Sequence, residues 1–267
     1  ALYPRFQVRG TLVFCHYKLY NEQIGQITSE RGKQMLQRKY DGIDLKYIAM
    51  VTMLIDHIGV VFIENTRLYE MERFQMLDVC IRLIGRIAFP LFAFLLVEGF
   101  LHTSNLRNYA CRLLIFAFIS EIPFDLAAFG KLTLAHQNVF FTLFIGLLVL
   151  KGLQSAQTEA SSMASYYLIS GCSVIAGCLA AYFLSVDYSY MGVLLIVILY
   201  LLHDTPKKQC IIGAILFSYE LTSVFSFLMM YRYTGQKGET KLPKYAFYAF
   251  YPAHLLILWA VKMLVIG

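Results

Sequence analysis

Arg82-Leu83-Ile84-Gly85-Arg86-Ile87-Ala88-Phe89-Pro90-Leu91-Phe92-Ala93-Phe94-Leu95-Leu96-Val97-Glu98-Gly99-Phe100 is apolar enough to lie in lipid, yet it carries arginines at one end, a glutamate near the other and a proline between. A segment that only anchors a chain needs none of these. At the centre of a bilayer a charged side chain costs roughly 2.5–3.5 kcal/mol on insertion scales, so such residues usually face a bundle interior or a wet cavity. Arg82 and Arg86 stand four apart and share a helix face. Either they snorkel from the start of a membrane helix or they belong to a site.

The whole chain supports the membrane reading. Of its 267 residues 58% are hydrophobic and only 15% charged, and the mean hydropathy is +0.60. Soluble domains run near 45–50% apolar and about 25% charged. We therefore expect an all-α, polytopic transmembrane bundle of about eight spans, near residues 45–64, 83–101, 109–129, 138–153, 166–185, 190–202, 209–231 and 245–266. A spanning helix needs about 20 residues, range roughly 17–25, so the fourth and sixth segments are tilted, re-entrant or longer than these bounds. Residues 1–44 form a polar, basic arm on the membrane surface, and 45–267 form the transmembrane domain.

The net charge of +6 is concentrated in ends and loops, where it sets topology. It does not suit nucleic acid, because no basic surface interleaved with aromatics is present. If the arm is cytoplasmic, the turns carrying Arg107, Lys151, Lys207 and Lys208 are too, as the positive-inside rule asks. Strict alternation of eight spans then places Arg232, Lys237, Lys241 and Lys244 on the opposite side, against that rule. The six cysteines include no CxxC pair and read as free thiols buried among apolar residues.

Polar residues inside spans or at their lips form one set. Asp56 and His57 lie past the middle of the first span. Arg82 and Arg86 open the second, Glu121 and Asp125 close the third, and Gln137, Asn138 and Thr142 open the fourth. Asp187, Tyr188 and Tyr190 sit between the fifth and sixth, and Tyr251 and His254 in the first half of the last. Alternating the spans places all of them at one end of the bundle, whichever way it faces. Histidine titrates near neutrality and suits general-base work, and His57 and His254 are the histidines placed within spans. Asp56 cannot orient its neighbour His57, since adjacent helical residues point about 100° apart. A carboxylate from another span, Glu121 or Asp125, is the expected partner. Gln137 and Asn138 carry amides for a carbonyl or oxyanion, and Arg82 and Arg86 carry forks for phosphate or carboxylate. Purely structural ion pairs and a satisfied core histidine are the plainer alternatives. Glu98 is expected to pair with Arg112 across the second turn. No GxSxG elbow and no HExxH or paired Cys/His metal spacing occurs.

Six ordered motifs carry a family resemblance: Leu45-Lys46-Tyr47-Ile48-Ala49-Met50 with Met53-Leu54-Ile55-Asp56-His57-Ile58-Gly59; Gly85-Arg86-Ile87-Ala88-Phe89-Pro90 with Val97-Glu98-Gly99; Ser120-Glu121-Ile122-Pro123-Phe124-Asp125; Gln137-Asn138-Val139-Phe140-Phe141-Thr142; Asp187-Tyr188 with Tyr190-Met191-Gly192; and Phe250-Tyr251-Pro252-Ala253-His254-Leu255. Together they resemble the TraX family of bacterial membrane proteins, over about residues 44–266. The resemblance implies acetylation: an acetyl group passed from acetyl-CoA, with no metal, to a pilin-like N-terminal amine, in the bacterial cytoplasmic membrane. It is similar to transmembrane acyltransferases in which a histidine within the membrane acts as base, and His57 is the matching position. On that basis His57, Asp56, Glu121 and Asp125 are the expected catalytic set. Arg82, Arg86, Gln137, Asn138, Tyr190, Tyr251, His254 and Lys237 are the expected substrate and coenzyme A contacts. A sugar or lipid-linked glycan hydroxyl is the alternative acceptor, and a non-enzymatic subunit or transporter the alternative class.

Overall fold

The computed structural model describes residues 39–265. The basic arm therefore lies almost wholly outside the described residues. The described chain is helical, with two isolated bridges, Tyr40 to Tyr233 and Gln137 to Val186, and no strand. This is the all-α membrane bundle the sequence predicts.

The first helix, α1 (Gly42–Gly59), starts where Asp41 caps it. The Asp41 carboxylate accepts from the Ile43 and Asp44 amides at 2.8 Å, and Asp44 returns the bond to the Asp41 amide at 3.0 Å. It widens into a π-turn over Val60–Glu64 and then reverses through a short 3-10 turn, Arg67–Glu70. Next come α2 (Glu72–Gly85) and α3 (Ala88–His102), which meet within residues 82–100. Pro90 explains the break. It has no N–H for the Arg86 carbonyl four residues back, and it is tolerated only in the first turn of a new helix. α3 is the central helix, with Phe89, Leu91, Ala93, Phe94, Leu96 and Val97 at most 3% exposed.

Around it run α4 (Leu106–Phe129), α5 (Val139–Glu159), α6 (Met163–Phe183), α7 (Ser189–Leu201), α8 (Pro206–Leu216), α9 (Val224–Tyr231) and α10 (Lys244–Val265). The fourth predicted segment is a full-length helix, α5, and not a short one. α6 turns most of its surface outward and buries only Gly177 and Ala181. A Cβ at Gly177 would overlap Val149 of α5, so the two helices approach through a small residue, as membrane helices do. Five helical segments are long and apolar enough to cross a membrane, and the chain is an integral membrane protein.

The seventh predicted span is the main departure. Residues 209–231 do not cross; α8 enters, turns at 217–223 and α9 returns. Its entrance is fixed by Gln209, whose amide donates to Leu199 O at the end of α7 at 2.6 Å. Its exit is fixed where Tyr40 N donates to Arg232 O at 3.3 Å and Thr234 N to Tyr40 O at 2.8 Å. The turn reaches the break between α2 and α3. There Thr222 Oγ1 donates to Leu83 O, and Ser226 Oγ to Ile87 O at 2.8 Å. The Leu83 carbonyl is left over because the Ile87 amide bonds Ile84 O instead, at 3.3 Å. Hydroxyls from a neighbouring helix commonly satisfy such backbone groups in membranes.

This hairpin reverses the side assigned to the last loop. Gly42 N donates to Gln236 O at 2.8 Å, so residues 232–244 sit beside the start of α1. Arg107, Lys207, Lys208, Arg232, Lys237, Lys241 and Lys244 consequently gather at one end, and the conflict with the positive-inside rule disappears. Single cysteines placed at Lys208 and Lys237 are expected to react with an impermeant maleimide from the same membrane face, and one at Lys131 from the other. Labelling of the Lys208 and Lys237 positions from opposite faces would restore a single crossing for 209–231.

Candidate active site

Two histidines meet in the interior. His57 Nδ1 lies 2.7 Å from His254 Nε2, and the rings stack with centroids 4.9 Å apart. His254 Nδ1 in turn lies 2.7 Å from Phe250 O. A carbonyl can only accept, so Nδ1 of His254 carries the proton. In neutral His254 the Nε2 is then an acceptor, and His57 must donate from its own Nδ1. The chain of bonds leaves the lone pair of His57 on Nε2, which makes no hydrogen bond among the described residues. That is the arrangement of an oriented general base, with a neutral imidazole in the orienting place.

Tyr251 completes this centre. Its ring stands edge-on to both histidines, with centroids 5.8 Å from His57 and 5.7 Å from His254. Its hydroxyl faces the Val139 amide, one of the orphan donors at the start of α5. The phenolic hydrogen remains free to donate.

Beside the histidines is an ionic network at the end of the bundle opposite Lys237. Arg82 Nη1 contacts Asp56 Oδ2 at 2.6 Å, and its Nε contacts Glu64 Oε1 at 3.1 Å. Arg86 Nε contacts Glu220 Oε2 at 3.1 Å, with the Tyr188 hydroxyl near the same guanidinium. Gly85 is required here, because a Cβ would overlap the Asp56 carboxyl group. The turn after α6 closes the same end under strain. Ser185, Tyr188 and Ser189 all have positive φ, at 50°, 61° and 46°, a region that costs most side chains energy. It is held by Tyr188 stacked on Phe89, by Thr142 Oγ1 donating to Asp187 O, and by Asp187 N donating to Gln137 O at 2.9 Å.

Most of the predicted set is thus brought to one region, but several expected roles are not. The partner of His57 is His254, not Glu121 or Asp125. The Glu121 carboxylate accepts from the Asn138 side chain and, at 3.4 Å, from its amide. Asp125 accepts from Thr133 N at 2.8 Å and fastens the loop after α4. Asp56 belongs to Arg82. Asn138 spends both amide hydrogens, on Glu121 and on Ala117 O, while its Oδ1 caps α5 through Phe140 N at 3.1 Å. It has no donor left for an oxyanion. Gln137 donates to Leu134 O at 3.0 Å in the outer loop. Tyr190 is exposed, and Lys237 stands at the other end. Arg82 and Arg86 are already neutralised by carboxylates. Glu220 is the residue missed; a carboxylate in mid-span was the available signal, and it marks the turn between α8 and α9. Among the described residues no group of His, Cys, Asp or Glu is placed to hold a metal.

Glu98 also takes a different partner. It meets His203, not Arg112, with Nε2 to Oε1 2.8 Å. That hydrogen bond, more than any other influence, lifts His203 above its ordinary value of 6.5. A group whose folded pKa is raised stabilises fully below its unfolded pKa and loses that contribution as pH rises through the folded value. The melting temperature is therefore expected to fall as pH climbs from about 6.5, and His203→Gln to flatten the decline. A pH profile identical in both proteins would contradict this.

Comparison with known proteins gives two matches. A family model described as TraX protein covers residues 42–262. "Probable fimbrial assembly protein FimC, serogroup H1" of Dichelobacter nodosus is 31% identical over 244 residues, which is 84% of this chain and 96% of that protein. No solved structure matches.

Proposed function

The chain belongs to the TraX family, and from that premise we propose that it is an integral membrane acetyltransferase of the bacterial cytoplasmic membrane. It moves an acetyl group from acetyl-CoA to the N-terminal amine of a pilin-like protein. The observation that carries this is the His57–His254 pair, 2.7 Å apart, with its carbonyl-fixed tautomers. Such bonds would satisfy a buried histidine in any role; what supports catalysis is that they leave Nε2 of His57 without a partner among the described residues. The similarity to a protein named for fimbrial assembly supports a pilin-like acceptor.

The chemistry follows from the free groups. The amine nitrogen attacks the thioester carbonyl, and His57 Nε2 takes the proton that the new C–N bond makes acidic. The imidazolium keeps its Nδ1–H bond to His254. Tyr251 donates its hydroxyl hydrogen to the oxyanion, in place of Gln137 or Asn138. Collapse breaks the C–S bond, and the proton on His57 passes to the departing sulfur. One acetyl group moves, one thiol is released, and no metal or redox partner is needed.

The test is direct. Purified protein in detergent receives acetyl-CoA and a peptide with a free N-terminal amine. Release of free thiol, matched by a peptide one acetyl group heavier, is expected. Thiol release with a sugar acceptor and none with the peptide would overturn the amine. No transfer to either would return the polar centre to a docking or transport role.

A further inference from the structure

At the end opposite Arg86 four basic side chains converge. Lys46 of α1 lies within electrostatic reach of Lys237 and Lys244, and Lys244 within reach of Arg112 and Lys237. Aromatic rings line the same place: Lys46 Nζ is 4.6 Å from the centre of Phe247, and the Arg112 guanidinium 5.6 Å from the centre of Tyr109. None of the four forms an ion pair among the described residues, in contrast to Arg82 and Arg86. Arg112 Nε is buried without a hydrogen-bond partner. Four like charges with the Asp41 carboxylate beside Gly238 as the neighbouring anion leave a net positive cluster, which favours a polyanion.

The depth fits as well. His57 lies eleven residues along α1 from Lys46, and His254 ten along α10 from Lys244. At 1.5 Å per residue these are about 16 and 15 Å. The arm between pyrophosphate and sulfur in coenzyme A has roughly twelve bonds, equal to four residues of extended chain or about 14 Å. The axial separation thus matches the reach of that arm. The mouth also lies at the end that collects the basic loops, which is the cytoplasmic end under the positive-inside rule.

We propose that Lys46, Arg112, Lys237 and Lys244 form the phosphate-binding mouth for the acyl-coenzyme A donor, so that donor and acceptor reach His57 from opposite ends of the bundle. This rests on the acyl-transfer function above. It moves the donor's phosphates away from Arg82 and Arg86, which their own carboxylates already neutralise.

The experiment measures binding of coenzyme A and of pantetheine, which lacks the phosphates, to the full chain in phosphatidylcholine nanodiscs. Lys46→Gln with Lys244→Gln is expected to weaken coenzyme A about tenfold and leave pantetheine unchanged. Lys207→Gln with Lys208→Gln, basic residues of the same end outside the mouth, is expected to change neither. Lys237→Gln alone, on an exposed loop, is expected to weaken coenzyme A about threefold and serves if the double variant does not fold. Equal coenzyme A affinity in wild type and mouth variants would overturn the mouth and leave acyl transfer standing. Failure of wild type to bind either compound would remove both. Unchanged coenzyme A affinity with loss of co-purifying phosphatidylglycerol would make the mouth a lipid-headgroup site and overturn the proposal.

Discussion

Replacing His57 by Ala is expected to lower kcat for acetyl transfer by about 10²–10⁴, the usual worth of a positioned general base, with the melting temperature little changed. The donor's KM should move little if its phosphates bind at the proposed mouth, about 16 Å along α1 from the imidazole. His254→Phe is a finer probe. It keeps a ring to stack on Phe250, whose centroid is 4.8 Å away, but removes the acceptor for His57 Nδ1–H. The tautomer of His57 is then no longer fixed, and kcat should drop at least tenfold, as orientation effects on catalytic histidines do. If the two histidines act as a unit, the double variant is no worse than His57→Ala alone. Undiminished turnover of the His57→Ala protein would end its assignment as base, and additive losses would mean that His254 acts separately.

The histidines show how far a sequence of this kind can be read. Both were legible, because an ionisable residue in an apolar run is rare enough to stand out. Their pairing was not. It depends on the rotation and depth of two helices 197 residues apart, which hydropathy does not encode. The expectation of a carboxylate partner came from the commoner chemistry; here Glu121 and Asp125 serve the backbone and side-chain bonds that fasten the α4–α5 connection. The hairpin failed for a related reason. Residues 209–231 are apolar enough to pass as one span, and only Glu220, with Tyr219 and Thr222 around it, signals a turn. Counting that stretch as one crossing misplaced every later basic residue, so the apparent breach of the positive-inside rule was itself the evidence for the turn. The bundle class and most span positions were readable because they depend on composition and order alone; Tyr251 and His254 were joined to the other polar residues by an alternation that the hairpin reverses, and they meet His57 because they lie midway along α10.

The hairpin's own anchor gives the largest expected change in stability. Glu220 meets Arg86 at 3.1 Å, with side chains 17% and 29% exposed. Removing one member of a largely buried pair leaves the other charge without its partner, which costs more than the pair contributes. Glu220→Ala should therefore destabilise by about 2–4 kcal/mol, toward the lower half of the range for buried pairs because some solvent remains. Arg86→Met with Glu220→Leu removes both charges while keeping volume and should fall within about 1 kcal/mol of wild type. Unfolding in mixed micelles, followed for wild type, both single variants and the double, yields the coupling directly. Singles that are each worse than the double would establish that the turn at 217–223 is held by charge compensation. Singles that sum to the double would instead assign the hold to Phe217, packed beside the Phe89–Tyr188 stack with centroids 5.8 and 6.0 Å away, and to the Thr222 and Ser226 hydroxyls on the carbonyls of the broken helix.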